Sequence, residues 1–267
     1  MQFETILYDV EDRIATLTFN RPDQLNALSP LMVRELRVAY EAAEADDDVW
    51  ILLVTGAGRA FCAGADVGEI SDDGRVVYEE PYLSTYPQWE APQEATPPFR
   101  TMTKPVLSAV NGLCCGAGLD LVTTGDITIA SERAQFFDPH VSIGLVSGRE
   151  SVRLARVLPL NVAMRLALTG RHERLDAARA YQLGLVSEVV PHDQLLTRAR
   201  EVAELVNRNA PLAVRGTRLA IRKGLDLPLH EAEILAESFR ERVVRTDDAK
   251  EGPQAFLEKR EPKWQCR

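Results

Sequence analysis

The sequence is short of cysteine and of positive charge, and each shortage excludes a class of protein. Its 267 residues include four cysteines, whose spacing fits neither a disulfide framework nor a metal site. Cys62, Cys114 and Cys115 lie among small apolar residues, which predicts buried, reduced thiols. We therefore expect no metal ion and a cytoplasmic location, because free thiols are typical of a reducing compartment.

Basic residues are outnumbered by acidic ones, 31 against 40, and the formal net charge is −9. Nucleic acid is excluded as a general partner because phosphate binding needs a basic face. Long hydrophobic runs are also absent from the sequence, and residues 1–5 lack the basic start and apolar core of a signal peptide. We expect no membrane partner. The 45% hydrophobic content is that of a globular protein with one large domain or two smaller ones.

Strand patterns alternate with helix patterns along most of the chain, and helix patterns dominate from residue 193 onward. A pair of strands is predicted over residues 4–19 around a turn at 11–12, and Ser29 and Pro30 are typical of a helix N-cap and first helical position. Further strands are predicted over 50–55, 105–110, 127–130, 134–137 and 185–190, and helices over 119–124, 149–157, 161–168, 176–182 and 229–244. This order is compatible with a doubly wound sheet and with a spiral of strand–strand–helix turns.

Residues 71–104 interrupt the alternation with prolines, acids and aromatic side chains such as Tyr82 and Trp89. The segment is compatible with a solvated surface insertion. It is also compatible with a lid whose aromatic side chains contact a substrate, because long loops in compact domains are often functional.

Two loops of small residues carry the main chemical signal. FCAGAD at 61–66 and NGLCCGAGLD at 111–120 each follow an apolar, strand-like run, and the second leads directly into a helix pattern. Small residues allow the backbone to approach a ligand closely, and free N–H groups at a helix start favour negative charge. Two such loops that face one point would form an oxyanion hole with two donors.

These motifs, taken in order, give the chain a family resemblance. FCAGAD, KPV at 104–106, AVNG at 109–112, GAG at 116–118, GDI at 125–127 and LTG at 168–170 are followed by GLV at 184–186 and AFLEKR at 255–260. In this order and spacing the sequence resembles the crotonase superfamily, the enoyl-CoA hydratase/isomerase group, over essentially its whole length. Residues 71–100 are the least similar part.

The resemblance implies an α/β fold, a crotonase-like spiral of ββα repeats with a C-terminal helical trimerisation region. Residues 1–195 would form the core with the acyl-CoA site, and residues 196–267 the helical oligomerisation region. The expected assembly is a homotrimer or a hexamer built as a dimer of trimers. The expected ligand is an acyl-CoA thioester, with no separate cofactor because coenzyme A enters as part of the substrate.

The resemblance also implies an oxyanion hole made by the N–H groups of Ala65 and Ala117, although the family usually has glycine at the second position. Of the two glutamates of the hydratases, the first position holds Asp120 and the second holds His140. Asp120 is one methylene shorter than glutamate, which displaces its carboxylate, whereas His140 can act as acid or base near neutral pH. Glu150 is a third catalytic candidate, and Asp138 a further one. Each of Asp120, His140 and Glu150 also has a purely structural interpretation, as a helix-start acid or a hydrogen-bonded core histidine.

The resemblance implies contacts to coenzyme A from four parts of the sequence. Asp66 is also compatible with a simple helix N-cap, and Lys259 is expected to reach a neighbouring subunit's ligand. The full set of predicted binding residues is Gln24, Leu25, Ala27, Ala63, Asp66, Gly116, Phe256 and Lys259.

The function predicted from this pattern is hydration of an enoyl-CoA thioester or isomerisation of its double bond, through an enolate stabilised by the oxyanion hole. One alternative is a C–C bond hydrolase of the same superfamily that cleaves β-diketones. Another is a non-catalytic acyl-CoA binder whose two catalytic positions have decayed.

Overall fold

The described strands form two β-sheets, and from β3 to β8 the strands enter the larger and the smaller sheet alternately. The computed structural model describes residues 2–66, 68 and 102–267, so the predicted insertion or lid lies outside the described residues except for 102–104. The strands are β1 (Ile6–Glu11), β2 (Ile14–Phe19), β3 (Ile51–Gly56), β4 (Ala60–Cys62), β5 (Val106–Val110), β6 (Leu113–Cys115), β7 (Ile127–Ser131), β8 (Gln135–Phe137), β9 (Leu175–Asp176) and β10 (Glu188–Val190).

The order of the strands identifies the fold as a spiral. The larger sheet has the order β1-β2-β3-β5-β7-β10 and the smaller one β4-β6-β8-β9. Strands β3, β5 and β7 are parallel neighbours in the first sheet, and their followers β4, β6 and β8 are parallel neighbours in the second. Each repeat therefore advances both sheets by one strand, which a doubly wound single sheet does not do.

Nine α-helices lie in the described part of the chain. They are α1 (Pro30–Ala45), α2 (Ala117–Thr124), α3 (Arg149–Val157), α4 (Leu160–Thr169), α5 (Ala177–Gln182), α6 (Leu195–Asn207), α7 (Pro211–Gly224), α8 (Leu229–Val243) and α9 (Asp247–Glu258). None of the helices described here has the length and apolar character needed to cross a membrane.

The first repeat follows its local sequence signals. Strands β1 and β2 pair antiparallel with Glu11 opposite Ile14, so the hairpin loop is two residues long. Both loop residues, Asp12 and Arg13, have positive φ, which is the pattern of the hairpin turn that matches strand twist. Ser29 caps α1 as predicted, because its hydroxyl accepts a hydrogen bond from the Met32 N–H at 3.2 Å.

The larger sheet is buried on both faces, which explains the continuous apolar runs of its central strands. One face packs against α6, where Leu195, Ala199 and Ala203 contact residues such as Ile51 and Leu107. The other face joins the main core with α1 and the smaller sheet. Since α6 begins at Leu195, the predicted boundary between residues 195 and 196 falls at a helix that covers the sheet. The division into two regions stays a prediction.

Helix α7 is held to the main body by two arginines. Arg218 and Arg222 bind the Asp126 carboxylate, with Nε–O distances of 2.6 and 2.9 Å, and Asp126 also accepts the Val106 N–H at 2.8 Å. Arg222 donates further to carbonyl oxygens at the end of α2, those of Thr123, Thr124 and Gly125. The Arg222 guanidinium therefore satisfies carbonyl groups that a helix C-terminus leaves unpaired.

Two elements differ from the sequence-based expectation. The strand predicted over 185–190 is shortened to Glu188–Val190, because Leu185 bonds back to the Ala180 carbonyl at 2.9 Å and Gly184 has φ +83°. Helix α9 was not predicted. It begins after a Thr246 cap and continues through Pro253, a residue that ordinarily argues against a helix interior.

Candidate active site

The two small-residue loops follow neighbouring strands of the smaller sheet. Strand β4 leads into residues 63–66 and strand β6 leads into Gly116, and these two strands are parallel neighbours. Gly64 has φ +90°, and a Cβ there would lie 3.2 Å from the Cys115 oxygen and 3.5 Å from the Ala117 nitrogen. The sequence therefore brings the two loops into direct contact, and glycine is needed for both the conformation and the space.

The Ala65 N–H points away from the neighbouring loop at 25–28. Leu28 donates to the Gly64 oxygen at 2.8 Å and accepts from the Asp66 N–H at 3.1 Å, so a parallel bridge forms between Leu28 and Ala65. In such a bridge the N–H and C=O groups of the bridged residue itself point to the opposite side. The Ala65 N–H is thereby available to a ligand on that side.

The second predicted donor, Ala117, is the first residue of α2. A first helical residue has no carbonyl partner within its own helix, and its N–H lies at the positive end of the helix dipole. Gly116 precedes it with φ +53°, and a Cβ on Gly116 would lie 3.4 Å from the Gly64 Cα. The contact between the loops supports the predicted oxyanion hole, which stays a prediction.

His140 lies beside this loop contact and is backed by a buried carboxylate. Its Nδ1 is 2.5 Å from the Asp138 Oδ1, and its backbone N–H donates to the same oxygen at 3.1 Å. The other oxygen of Asp138 accepts a hydrogen bond from the Ser147 hydroxyl. The His140 Cε1 lies 3.7 Å from the position that a Gly116 Cβ would occupy, which places the ring next to the start of α2. With Nδ1 engaged, Nε2 is the ring nitrogen left to meet a substrate.

Both members of this pair are electrostatically tuned. The hydrogen bond to Asp138 raises the pKa of His140 against the opposing effect of burial, and the charges of Asp138 and Glu150 raise it further. Burial alone would raise the pKa of Asp138, but the hydrogen bonds from His140 and Ser147 outweigh burial and lower it. The pair therefore favours an imidazolium on an ionised, fully buried carboxylate.

Asp120 lies in the first turn of α2 and is 3% exposed. Its Oδ1 is 3.0 Å from the Nε of Arg153, a residue of α3. Glu150 is buried in the first turn of the same helix, and its charge acts on His140. The structure thus brings the three predicted catalytic residues to the packed helices α2 and α3 and to the loop before α3. Arg153 was missed by sequence reasoning, although its spacing of three from Glu150 places both on one helix face.

Four of the predicted coenzyme A contacts share one wall beside the loops. Ala63 donates its N–H to the Leu25 oxygen at 3.1 Å, and Arg21 joins the Ala27 oxygen at 2.6 Å to the Asp66 carboxylate at 2.9 Å. Asp66 also accepts the Gly68 N–H at 3.2 Å, which supports its alternative interpretation as a local cap. Gln24 is exposed at the edge of this wall.

The remaining two predicted contacts, Phe256 and Lys259, are exposed on α9 and at its end. Among the described residues, no hydrogen bond or ion pair links α9 to the two loops. A role for these two residues in coenzyme A binding, in this subunit or in a neighbouring one, stays a prediction.

Three buried free cysteines, Cys62, Cys114 and Cys115, lie within the two loop segments. Cys115 donates its thiol to the Ala63 oxygen at 3.2 Å. Burial raises the pKa of Cys62 and of Cys115 to about 12, so neither thiol is a nucleophile near neutral pH. Within residues 2–66, 68 and 102–267, no group of three His, Cys, Asp or Glu side chains is arranged to hold a metal ion.

A spiral of paired strands whose turns place two amide-bearing loops beside a histidine defines a crotonase-type enzyme fold. Residues 9–267 match the family model described as enoyl-CoA hydratase/isomerase, and the chain belongs to that family. The predicted superfamily and fold are thereby confirmed.

Relatives and solved structures cover the whole chain. The chain is 34% identical over 266 residues to a protein named probable enoyl-CoA hydratase echA8 from Mycobacterium bovis, with 99% of each chain covered. It is 37% identical over 264 residues to enoyl-CoA hydratase EchA19 of Mycobacterium tuberculosis, covering 97% of this chain and 96% of that one. A crystal structure of an enoyl-CoA hydratase/isomerase from Mycobacterium paratuberculosis is 71% identical, covers 100% of both chains and superposes with a TM-score of 0.93.

Proposed function

We propose that this chain adds water across the double bond of an enoyl-CoA thioester, through an enolate held by the N–H groups of Ala65 and Ala117. The contact between Gly64 and the start of α2 supports this site, because it brings the two donor-bearing loops together. Removal of one such donor costs other enzymes about 100- to 1,000-fold in turnover. Relatives of the chain are named enoyl-CoA hydratases, which supports hydration as the reaction.

His140 is the proposed proton donor to the α-carbon. The observation that carries the proposal is its position beside Gly116 with Nδ1 bound to the buried Asp138. The raised pKa of His140, caused first by the hydrogen bond to Asp138, favours a protonated ring in the resting enzyme. As the thioester accepts the nucleophile at its β-carbon, Nε2 gives its proton to the α-carbon, and Asp138 stabilises the ring throughout.

Asp120 is the proposed acceptor of the proton of water. Its oxygen atom takes one proton from the attacking water while the hydroxyl adds to the β-carbon. The proton gained by Asp120 returns to His140 through solvent, so that one water is consumed and both groups are restored. Arg153 stabilises the negative charge of Asp120 in this position.

Double-bond isomerisation is a second candidate, favoured by one observation. Asp120 is engaged by Arg153 at 3.0 Å, which leaves His140 well suited to carry a single proton between the α- and γ-carbons. This reaction needs one base and no attacking water.

Turnover of a panel of enoyl-CoA esters in deuterated water tests the proposal. Hydration adds the mass of one deuterated water and gives a β-hydroxyacyl product, whereas isomerisation moves the double bond and exchanges hydrogen without adding water. Tight binding without turnover across chain lengths would instead favour a non-catalytic binder, and cleavage of β-diketones without coenzyme A affinity a hydrolase. His140→Ala and Asp120→Asn should each lower hydration about 100-fold or more, with binding of the ester retained.

We also propose a homotrimer or a dimer of trimers, in the cytoplasm. The exposed apolar side chains of Phe256 and Leu257 on α9, at 83% and 81%, support assembly because such pairs are usually covered. The free cysteines support the compartment. Light scattering on purified protein checks the assembly, and a monomer at micromolar concentration would contradict it.

A further inference from the structure

Helix α3 carries an arginine, Arg153, that forms an ion pair with Asp120. The Arg153 Nε lies 3.0 Å from the Asp120 Oδ1, and the Asp120 side chain is 5% exposed whereas that of Arg153 is 35% exposed. A buried carboxylate needs a partner for its charge. Arg153 supplies that charge from the neighbouring helix while remaining in contact with solvent.

We propose that Arg153 is a positioning residue, which holds the Asp120 carboxylate in the orientation that accepts a proton from water. The inference rests on the proposed function. Asp120 reaches one methylene less far than a glutamate, so the placement of its oxygen atoms depends on the helix that carries it and on the group that fixes its rotamer. Arg153 is in ion-pair contact with one of those oxygen atoms, at 3.0 Å, and its positive charge favours rotamers that keep the carboxylate close to it.

The face of α3 that bears Arg153 is the face turned to the site. Glu150, one helical turn earlier, is 8% exposed, and its charge acts on His140. The next arginine along the helix, Arg156, has a different environment: it pairs with Asp226 at 3.0 Å, and both side chains are more than half exposed. Arg156 therefore offers the same chemical change on the same helix without a contact to Asp120.

Steady-state kinetics with crotonyl-CoA compare Arg153→Gln, Arg153→Lys and Arg156→Gln in the full-length protein. We expect Arg153→Gln to lower kcat about 100-fold, the order of loss that a displacement of about 1 Å at a reacting group can cause. KM should change less than kcat, because the ion pair of Arg153 is with Asp120 and the inference gives Arg153 no part in binding the ester. Arg153→Lys should recover part of the loss, and Arg156→Gln should match the unsubstituted protein.

A double-mutant cycle with Asp120→Asn tests whether Arg153 acts through Asp120. If it does, Arg153→Gln should have no further effect on kcat in the Asp120→Asn background, since contacting residues are not additive. Additive losses, or wild-type kcat in Arg153→Gln, would overturn the inference. If Arg153→Gln does not fold, as judged by its melting temperature, the test uses Arg153→Lys instead. Full activity of Arg153→Lys, together with a crystal structure in which the Asp120 carboxylate has lost its orientation, would overturn the inference. A selective loss of kcat in Arg153→Lys would support it.

The outcome for the proposed function is separate. A wild-type protein that turns over no enoyl-CoA ester, or an Asp120→Asn variant with full activity, removes both the proposed role of Asp120 and the inference. An inactive Asp120→Asn variant beside a fully active Arg153→Gln variant removes the inference alone.

Discussion

Replacing Asp138 with asparagine should impair His140 while leaving the surrounding loop in place. Asparagine has the same shape and can still accept the two hydrogen bonds that His140 donates to Oδ1. Its amide group can meet the Ser147 hydroxyl, which is able to accept as well as donate. What the substitution removes is the negative charge, at a position with no exposed side-chain surface.

The magnitude follows from the change in hydrogen-bond type. A hydrogen bond to a charged group contributes about 1.5–3 kcal/mol, against about 0.5–1.5 kcal/mol for a neutral one. The difference of about 1–2 kcal/mol corresponds to a loss of about 5- to 30-fold in kcat, because about 1.4 kcal/mol is a factor of ten. In the proposed mechanism this loss falls on the step in which the imidazolium gives its proton to the α-carbon.

The assay is the pH dependence of kcat with crotonyl-CoA. The proposed mechanism needs the acid form of His140, so activity should fall as pH rises through the pKa of His140, which the hydrogen bond to Asp138 raises. In Asp138→Asn this descending limb should move to lower pH. His192→Ala is a matched histidine control, because His192 contacts Ser131 at 3.1 Å away from the two loops. A wild-type kcat with an unshifted limb in Asp138→Asn would refute the role of the pair.

Three further outcomes are expected. Ala117→Pro removes one N–H at a first helical position, where proline is tolerated, and should lower kcat about 100- to 1,000-fold, whereas Ala117→Gly, which keeps the N–H, should lose far less. Asp126→Ala leaves the side chain of Arg218, which is 10% exposed, without its carboxylate partner. Urea titration should therefore show that the free energy of unfolding falls by about 3–5 kcal/mol. A decrease of less than about 1 kcal/mol would contradict this expectation. The pair of Asp138 and His140 should stabilise the fold most between about pH 4 and pH 6.5, the unfolded-state pKa values of the two groups. Its contribution is lost as pH rises through the raised pKa of His140 and as pH falls through the lowered pKa of Asp138, so the unfolding free energies of the native protein and Asp138→Asn should converge at both extremes.

Sequence patterns predicted the elements whose signals are local. The Ser29 cap, the hairpin before it and the helix over 149–157 depend on residues within a few positions of one another. The choice between a doubly wound sheet and a spiral depends on which strands pair, and the structure shows that β4 pairs with β6 and β3 with β5. These strands are separated by some fifty residues of sequence, and alternation of hydrophobic residues carries no information on their partners.

Some residues of the candidate site could likewise be predicted from the sequence, and others could not. The two loops were identifiable because small residues after a strand are a recognisable pattern, whereas Ala65, Ala117 and His140 were singled out because they occupy family positions. Arg153 and Ser147 were not, because an arginine on an amphipathic helix and a serine in a loop usually face solvent. Their partners, Asp120 and Asp138, become visible only when helices and loops pack together.

Helix α2 is contacted at its two ends by different parts of the chain. Its first N–H borders the 63–66 loop, and its last carbonyl oxygens accept hydrogen bonds from Arg222, which lies near the far end of α7. A chain cut before residue 211 would keep every catalytic candidate yet lose the guanidinium that anchors the tail of this helix. We expect such a fragment to bind acyl thioesters with lower affinity, because the backbone amide of residue 117 would no longer be fixed in position.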